Sequence, residues 1–267
     1  MSDQKFPQAN KSLGQHFLID QNVIELITTN FTEVAKNVLE VGPGPGVLTK
    51  HLASKDLPIF LVEKDARFPA LLKEYVNEDD IFLHDALKFD FEEKFKEKNW
   101  KDVWLVSNLP YNVSSPLLVQ FLQLPSIKYM TLMFQREVAD KAFPIDTRVG
   151  KAMNSLLALT QNYFEVSLLC KVPQGAFQPP PKVESAVLSF VRRDEPLIPL
   201  AEFKAYERFL RHLFRFKRKQ VGKILKSYQT DIDKVNEALS AVGRDRTDRA
   251  ESFKLEEIQK LYIGLKD

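Results

Sequence analysis

The fold is decided by the stretch Val38-Leu39-Glu40-Val41-Gly42-Pro43-Gly44-Pro45-Gly46. A short apolar run that passes directly into a glycine-rich turn is typical of a buried strand in a parallel sheet. Residues 47–54 are predicted to form a helix after the turn, and the glycines let the backbone approach a ligand closely at the end of the strand. This stretch therefore predicts the first strand, turn and helix of an α/β sheet with a ligand site at its carboxyl edge.

The same alternation of strand and helix continues on either side of this stretch. Apolar runs predict strands at 59–62, 81–84, 103–106 and 129–134, with helices at 21–35, 68–76 and 116–122. Two more strands are predicted at 164–172 and 183–191, where they would close the sheet in antiparallel fashion. Alternating strands and helices of this kind predict a doubly wound, Rossmann-like sheet.

The pattern changes after residue 193. Residues 194–199 have the composition of a linker, and only helices are predicted from residue 200 onward, with breaks near Gln229 and Gly243. We therefore predict a catalytic α/β domain over residues 1–193 and a small all-α domain over residues 194–267.

Composition narrows the class of protein. The 267 residues are 44% apolar and 28% charged, as in soluble globular proteins. The single cysteine, Cys170, excludes an intrachain disulfide, fits a reducing compartment and is predicted to lie in a strand. The four histidines show no metal-ligand spacing, so no metal is expected. Because neither a signal peptide nor a membrane-spanning run is apparent, we expect a cytoplasmic protein without membrane contact.

Basic residues are concentrated between residues 211 and 226, although the net charge is only +2. This segment has no acidic residue and contains Phe214 and Phe216. Its predicted RNA-binding residues are Arg211, Arg215, Lys217, Arg218, Lys219 and Lys223. The alternative is a solvated basic helix face with no nucleic-acid partner.

The stretch Asn108-Leu109-Pro110-Tyr111 follows the predicted strand at 103–106. A carboxamide, a neighbouring backbone carbonyl and an aromatic ring at the end of a central strand suit the binding of an amino group on a nucleobase. The carbonyls can accept both N–H bonds while the ring stacks on the base. The alternative is a simple turn, since Asn and Pro both favour turns.

Two acidic residues end neighbouring predicted strands. Glu63 follows strand 59–62 at a separation suited to accepting both hydroxyls of a ribose, although a solvated loop glutamate is the alternative. Asp85 follows strand 81–84, where it can accept a hydrogen bond from an adenine amino group or cap a helix. Position 47 is Val, so the glycine turn does not match the dinucleotide fingerprint and suits a nucleoside without a pyrophosphate.

The glycine turn, the acidic residues Glu63 and Asp85, and the stretch Asn108–Tyr111 thus occur in this order at the ends of four successive predicted strands. Together they predict an adenosine-bearing methyl donor beside an aromatic amine, which is S-adenosylmethionine-dependent N-methylation of a base. Neither a G-x-S-x-G nucleophile elbow nor a P-loop lysine motif is present to suggest another reaction.

With these residues in place, the chain resembles the rRNA adenine N6-dimethyltransferase family, most of all its bacterial small-subunit type. The resemblance covers nearly the whole chain. Matching segments include residues 11–18, 40–46, 108–112, 135–138, 177–187 and 249–251. It implies a class I S-adenosylmethionine-dependent methyltransferase sheet and dimethylation of two adjacent adenosines in a hairpin loop near the 3′ end of 16S rRNA. The implied partner is that rRNA in the small ribosomal subunit or its precursor, bound by a monomer.

The resemblance also implies roles for single residues. His16 and Leu18 would close over the cofactor, while Gly42, with Gly44 in the same turn, would lie beside its methionine part. The remaining implied roles place Glu63 on the ribose, Asp85 on the adenine, Asn108 and the Leu109 carbonyl on the target amine, Pro110 in the same catalytic turn, and Tyr111 and Phe177 on either face of the base. His16 departs from the asparagine of many bacterial members, although an imidazole can still donate a hydrogen bond.

Three other functions are alternatives to this one. An enzyme of the same chemistry can act on large-subunit rRNA, but residues 177–183 and 249–251 argue against this erythromycin-resistance type. A ribosome-assembly factor would use the basic segment, with catalysis incidental. A small-molecule methyltransferase would not need the basic helical domain.

Overall fold

A computed structural model of the chain describes residues 8–10, 14–145 and 152–266. The chain divides into two compact units. The sheet unit comprises the residues up to 145 together with Val166–Arg192, and the helical unit comprises the remaining residues up to 165 and from Arg193 onward.

Strands and helices of the sheet unit alternate along the chain, as predicted. The strands are β1 (Phe17–Leu18), β2 (Asn37–Val41), β3 (Ile59–Glu63), β4 (Ile81–Leu83), β5 (Val103–Asn108), β6 (Ile127–Gln135), β7 (Phe164–Val172), β8 (Phe177–Gln178) and β9 (Ser185–Arg192). The helices are α1 (Gln21–Thr29), α2 (Val47–Ala53), α3 (Pro69–Leu72), α4 (Phe91–Glu97), α5 (Ser114–Leu122) and α6 (Arg136–Ala142).

Seven of these strands form one sheet in the order β4-β3-β2-β5-β6-β9-β7, and β1 pairs separately with β8. The strands from β4 to β6 are parallel neighbours, whereas β9 runs antiparallel to β6. The strand order reverses between β2 and β5, so the chain leaves these two adjacent strands on opposite sides. Ligands of open α/β sheets bind at the carboxyl ends of strands at such a switch point.

The central strands are buried on both faces, which explains their continuous apolar sequence. All five residues of β2 are buried, as are residues 103–107 of β5. Trp104 is fully buried and donates its indole N–H to Thr131 on β6 at 2.9 Å. Continuous hydrophobic runs are characteristic of parallel strands covered by helices, and the predicted sheet is confirmed.

Several predicted boundaries differ from the structure. Helix α1 ends at Thr29 rather than at residue 35, and helix 68–76 is reduced to the four residues of α3. Helices α4 and α6 were not predicted. Strand β5 extends two residues beyond the predicted end, which makes Asn108 its last residue, opposite Met133 of β6. The site motif therefore begins inside the sheet and not in a loop.

The helical unit contains α7 (Ser155–Tyr163), α8 (Phe203–Leu213), α9 (Val221–Leu225), α10 (Ile232–Ala241) and α11 (Leu255–Leu265). The second break between the units falls between Arg192 and Arg193, and α7 groups with the helical unit. Buried Asn162 on α7 explains this grouping. Its side chain accepts from the Ile198 N–H at 3.1 Å and from Gln259 at 2.8 Å, and donates to the Ile198 carbonyl at 2.9 Å.

We expect Asn162→Ala to destabilise the helical unit by about 2–4 kcal/mol, because it leaves buried partners of three hydrogen bonds without a match. Urea unfolding followed by circular dichroism measures the loss. Asn236→Ala, at an exposed position of α10, is the matched control and is expected to change stability by less than about 0.5 kcal/mol. Equal unfolding midpoints for both variants would contradict the role of Asn162.

Candidate active site

A cavity lies at the carboxyl edge of the sheet, at the β2–β5 switch point. Its wall is formed by the ends of β2, β3 and β5, the segments that follow them and residues 14–18. All predicted catalytic and cofactor-binding residues except Phe177 line it: His16, Leu18, Gly42, Gly44, Glu63, Asp85, Asn108, Leu109, Pro110 and Tyr111. Residues from five separate segments of the sequence thus meet at one site.

The glycine turn after β2 has a left-handed backbone that other residues rarely adopt. Gly42 has φ of 68° and Gly46 has φ of 87°. A Cβ atom at Gly46 would lie 3.1 Å from the Tyr75 ring, so both the conformation and the space require glycine there. Gly46 is the N-cap residue of α2, which begins at Val47.

Glu63 ends β3 with its carboxylate already oriented. One oxygen accepts the Gly44 N–H at 2.8 Å and the other accepts the Asp65 N–H at 2.7 Å. Burial raises the pKa of Glu63, while these N–H donors oppose the shift. The Lys64 N–H is a third donor to this carboxylate. A carboxylate has about four acceptor sites, so capacity remains for the predicted contact with a ribose hydroxyl.

Glu40 is a second buried acid in the cavity wall, and it was quoted in the sequence without a predicted role. Its side chain accepts the Thr49 hydroxyl at 2.7 Å. Burial raises the pKa of Glu40 to about 8, and the nearby Glu63 adds to the rise. The position of Glu40 inside a strand that is buried on both faces explains the shift, since a carboxylate there loses its water.

Asp85 lines the cavity beyond the end of β4. Its carboxylate accepts the Leu87 N–H at 3.0 Å and pairs with Lys64 at 2.8 Å. The Lys64 ammonium holds the pKa of Asp85 below its usual value. The bond to the Leu87 N–H closes a turn and does not cap a helix, since the next helix, α4, begins at Phe91. Asp85 lies in the cavity wall.

Asn108 and Tyr111 form the opposite wall. The Asn108 amide nitrogen donates to the His16 carbonyl at 3.2 Å, which turns its oxygen away from that carbonyl. The Tyr111 hydroxyl lies 2.9 Å from the Ser185 hydroxyl, and burial raises the pKa of the phenol. The imidazole of His16 stacks on the Tyr111 ring with centroids 5.6 Å apart, and its Nδ1 lies 2.8 Å from the Pro179 carbonyl.

Phe177 lies outside the cavity wall. It belongs to β8 opposite Leu18 and is only 2% exposed within the hydrophobic core. Its apolar ring is withdrawn into the packing between the small sheet and the core. The predicted contact between Phe177 and a target base stays a prediction. In this arrangement the buried ring does not line the cavity.

The basic segment 211–226 is not one helix, and this part of the prediction is wrong. Helix α8 ends at Leu213 and α9 begins at Val221. Like charges four residues apart disfavour a continuous helix, and the first N–H groups of α9 instead donate to the carbonyls of Asp248 and Arg246. The six predicted RNA-binding residues are nevertheless all exposed, on and between α8 and α9.

Phe216 lies within this turn and is 40% exposed. The Arg215 guanidinium lies 5.1 Å from the ring centroid and the Lys219 ammonium 4.2 Å from it. Arg211 differs from its neighbours because it pairs with Glu207. The turn thus presents cations around an aromatic ring, as polyanion-binding surfaces do.

Three polar residues outside the predicted set form contacts near the cavity. Gln15, Asp65 and Arg67 link the segment before β1 to the segment after β3. In the sequence, only their closeness to His16 and Glu63 could have indicated that they belong to the site.

Cys170 is a half-buried residue of β7, and burial raises the pKa of its thiol. Over residues 8–10, 14–145 and 152–266, no group of three metal-ligating side chains occurs, and no helix has the length and hydropathy to cross a bilayer.

The strand order and the cavity define the protein class. The site has the features of a class I, Rossmann-like methyltransferase. These features are a glycine turn after β2, an acid at the end of β3, an acid after β4, and Asn108 at the end of β5, all around one switch point. The structure of the 23S rRNA methyltransferase ErmE superimposes with a TM-score of 0.70 and 27% sequence identity, over 93% of this chain and 99% of that one.

The sequence comparisons are more specific. The profile of the family described as ribosomal RNA adenine dimethylase matches residues 7–261. The ribosomal RNA small subunit methyltransferase A of Clostridium botulinum (strain Langeland) is 36% identical over 94% of this chain and 92% of its own length. The protein of that name from Maridesulfovibrio salexigens is 36% identical over 97% of both chains. The chain belongs to the ribosomal RNA adenine dimethylase family.

The pKa of Glu40 leads to a stability prediction. The folded chain retains a proton up to about pH 8 that the unfolded chain releases near its ordinary pKa of 4.5. The proton on Glu40 stabilises the folded chain in full when the pH is below the pKa of Glu40 in the unfolded chain. This stabilisation is lost as the pH rises through the pKa of Glu40 in the folded chain. Glu40→Gln cannot ionise, so we expect its stability relative to the wild type to increase by up to about 1.4 kcal/mol per pH unit across this window.

Urea unfolding of both proteins at pH 5, 6, 7 and 8 measures this difference. Glu25→Gln, at an exposed position of α1, is the matched control, and its difference from the wild type is expected to stay constant with pH. A constant difference for Glu40→Gln as well would show that Glu40 is ionised in the folded protein.

Proposed function

We propose that this protein transfers two methyl groups from S-adenosylmethionine to the N6 amino group of each of two adjacent adenosines in 16S rRNA. The single observation that carries the proposal is the common cavity. Acids suited to an adenosine and a carboxamide suited to an aromatic amine meet across the β2–β5 switch point. Membership of the adenine dimethylase family and similarity to small-subunit methyltransferases support the choice of base and RNA.

The residues of the cavity fit S-adenosylmethionine. Glu63 keeps acceptor capacity for the ribose, Asp85 has an ionised carboxylate for an adenine amine, and Gly42 and Gly44 have no side chain to obstruct a ligand. His16 and Leu18 close one side of the cavity. When bound, S-adenosylmethionine supplies a methyl group already activated by its sulfonium charge, so the protein has to position the reactants rather than activate them.

Asn108 holds the target amine in this proposal. Its amide nitrogen is engaged by the His16 carbonyl, so its oxygen is the group available to accept an N–H bond. The Leu109 carbonyl accepts the second N–H, which favours a tetrahedral nitrogen with an exposed lone pair. Tyr111 remains a neutral phenol fixed by Ser185, and the base stacks on the face of its ring opposite His16.

Two observations favour small-subunit RNA over the alternatives. The small-subunit relatives are 36% identical to this chain, whereas the 23S rRNA methyltransferase structure is 27% identical. The exposed basic turn around Phe216 would serve the helical unit in binding RNA, and a small-molecule methyltransferase would not need it.

We further propose that residues 1–193 carry catalysis and that residues 194–267 bind RNA. In this proposal the protein acts as a cytoplasmic monomer on the small subunit or its precursor, without a membrane.

We expect Asn108→Ala to reduce methylation of small-subunit particles by about 100-fold or more, because it removes a preorganised acceptor from the reacting amine. Incorporation of labelled methyl groups and mapping of dimethyladenosine measure the effect. Asn22→Ala, an exposed change on α1, is the control with wild-type activity.

The same assay separates the competing substrates. Methylation of naked large-subunit RNA but not of small-subunit particles by the wild type would refute the proposed substrate. Wild-type activity of Asn108→Ala would refute the proposed catalytic site. Full restoration of ribosome maturation by inactive Asn108→Ala would instead make assembly the main function.

A second prediction concerns the basic turn. We expect the triple variant Lys217→Ala/Arg218→Ala/Lys219→Ala to bind rRNA more weakly, with the slope of log K against log salt reduced by about 2 to 3. Filter binding at several salt concentrations measures the slope. The control triple variant Lys204→Ala/Arg208→Ala/Lys260→Ala removes three exposed cations from other parts of the helical unit and should leave the slope nearly unchanged.

A further inference from the structure

The segment that closes one side of the cavity is attached weakly by its backbone. Residues 14–18 lie outside the seven-stranded sheet, and β1 contributes only Phe17 and Leu18 to a two-stranded pair with β8. A pair this short is marginal without further packing. The place of this segment beside the cavity therefore depends on its side-chain contacts.

Gln15 provides the polar part of these contacts. Its amide nitrogen donates to Asp65 at 2.8 Å, and its amide oxygen accepts from Arg67 at 3.0 Å and from the Asn10 N–H at 2.8 Å. Arg67 also donates to the Gln8 carbonyl at 2.8 Å. Both ends of the Gln15 amide thus take part in bonds that attach Gln8, Asn10 and Gln15 to the loop that follows β3.

Asp65 is the centre of this network. It is 7% exposed and receives the guanidinium of Arg67 through two nitrogens as well as the amide of Gln15. These donors hold the pKa of Asp65 far below its usual range, so it stays ionised at physiological pH. Its backbone N–H is bonded to Glu63, which connects the same loop to the acid proposed to bind ribose.

Phe17 provides a second, apolar attachment on the other side of His16. It packs with Leu61, Phe68 and Leu72, and its ring meets that of Phe68 edge to face at 6.1 Å. His16 is therefore held between an ionic attachment at Gln15 and a hydrophobic one at Phe17. Both attachments reach the same part of the chain, β3 and the residues that follow it.

We propose that Gln15, Asp65 and Arg67 form a latch of positioning residues that holds residues 14–18 beside the cofactor cavity, and that tight binding of S-adenosylmethionine requires this latch. The inference rests on the proposed function, because it takes the cavity to be the S-adenosylmethionine site. The latch orders the segment and the Glu63 loop before the ligand arrives. It thereby lowers the entropy cost of closing the cavity on the ligand.

Asp65 and Arg67 lie outside the cavity wall and act through other groups, whereas Gln15 also lines the wall. Replacing Asp65 by Ala removes the side-chain attachment but preserves the backbone N–H that bonds Glu63. A loss of affinity in this variant consequently reports on the segment 14–18 and not on a lost contact with the ligand. Asp65→Asn retains an acceptor for Gln15 but loses the charge that holds Arg67, and it should be intermediate.

The test is calorimetric titration of the full chain with S-adenosylmethionine. We expect Asp65→Ala and Gln15→Ala to raise Kd by about 10- to 100-fold, consistent with the loss of a hydrogen bond to a charged group. The double variant should bind about as weakly as Asp65→Ala alone, because both changes break one network. In methylation assays KM for S-adenosylmethionine should rise similarly, while kcat changes less than about threefold.

Hydrogen exchange of the ligand-free proteins gives a second readout. Amides of residues 14–19 should exchange faster in Asp65→Ala and Gln15→Ala than in the wild type, while amides of β2 and β5 stay protected. Asp80→Ala is the matched control, since it removes a carboxylate paired with Lys98 elsewhere in the sheet unit and away from the cavity wall. It should leave both Kd and exchange at 14–19 unchanged.

The outcomes separate this inference from the proposed function. A wild-type chain that fails to bind S-adenosylmethionine would refute the proposed function. A wild-type chain that binds it, with Gln15→Ala equally tight and equally protected at residues 14–19, would refute the latch alone. If Asp65→Ala does not fold, Arg67→Ala decides the question, because Arg67 is exposed and lies outside the cavity wall. Arg67→Ala should raise Kd and speed exchange at residues 14–19 in the same way.

Discussion

The site depends on the parallel pairing of β2 with β5. Their register places Glu40 opposite Val106, and the buried Ser107 hydroxyl donates to the Val41 carbonyl at 2.6 Å where both strands end. Because the chain leaves these neighbours in opposite directions, a gap opens between the segments that follow them. The glycine turn lies on one side of this gap and Asn108 on the other, so the sheet sets the separation of the two halves of the site.

Charge is distributed unevenly around this gap. Glu40 is buried beside a hydroxyl and binds its proton up to about pH 8, whereas Asp85 and Asp65 are held ionised by basic partners. Three nearby acids thus differ in protonation because their surroundings differ in water and in counter-charge. Of the two ionised acids, Asp85 lines the cavity and Asp65 lies outside its wall.

Sequence patterns selected residues that line one cavity in those places where a strand ends in a distinctive residue. Gly42, Glu63 and Asn108 were predicted because buried parallel strands have continuous apolar sequences with clear ends. The same reasoning missed the short helices α4 and α6, and it joined α8 to α9 across the basic turn. The contact of Phe177 with the base was implied by the family resemblance and stays a prediction, and the ring is buried in the core where β8 pairs with β1.

The sequence by itself determined the strand alternation, the glycine turn and the order of polar residues along the chain, since these follow from local hydrophobicity and backbone conformation. Only the tertiary structure decided which of these residues meet. Gln15 and Asp65 are fifty positions apart in the chain and form one network, and the His16 carbonyl orients the Asn108 amide. Such pairings depend on strand order and long-range packing, which no local pattern of residues encodes.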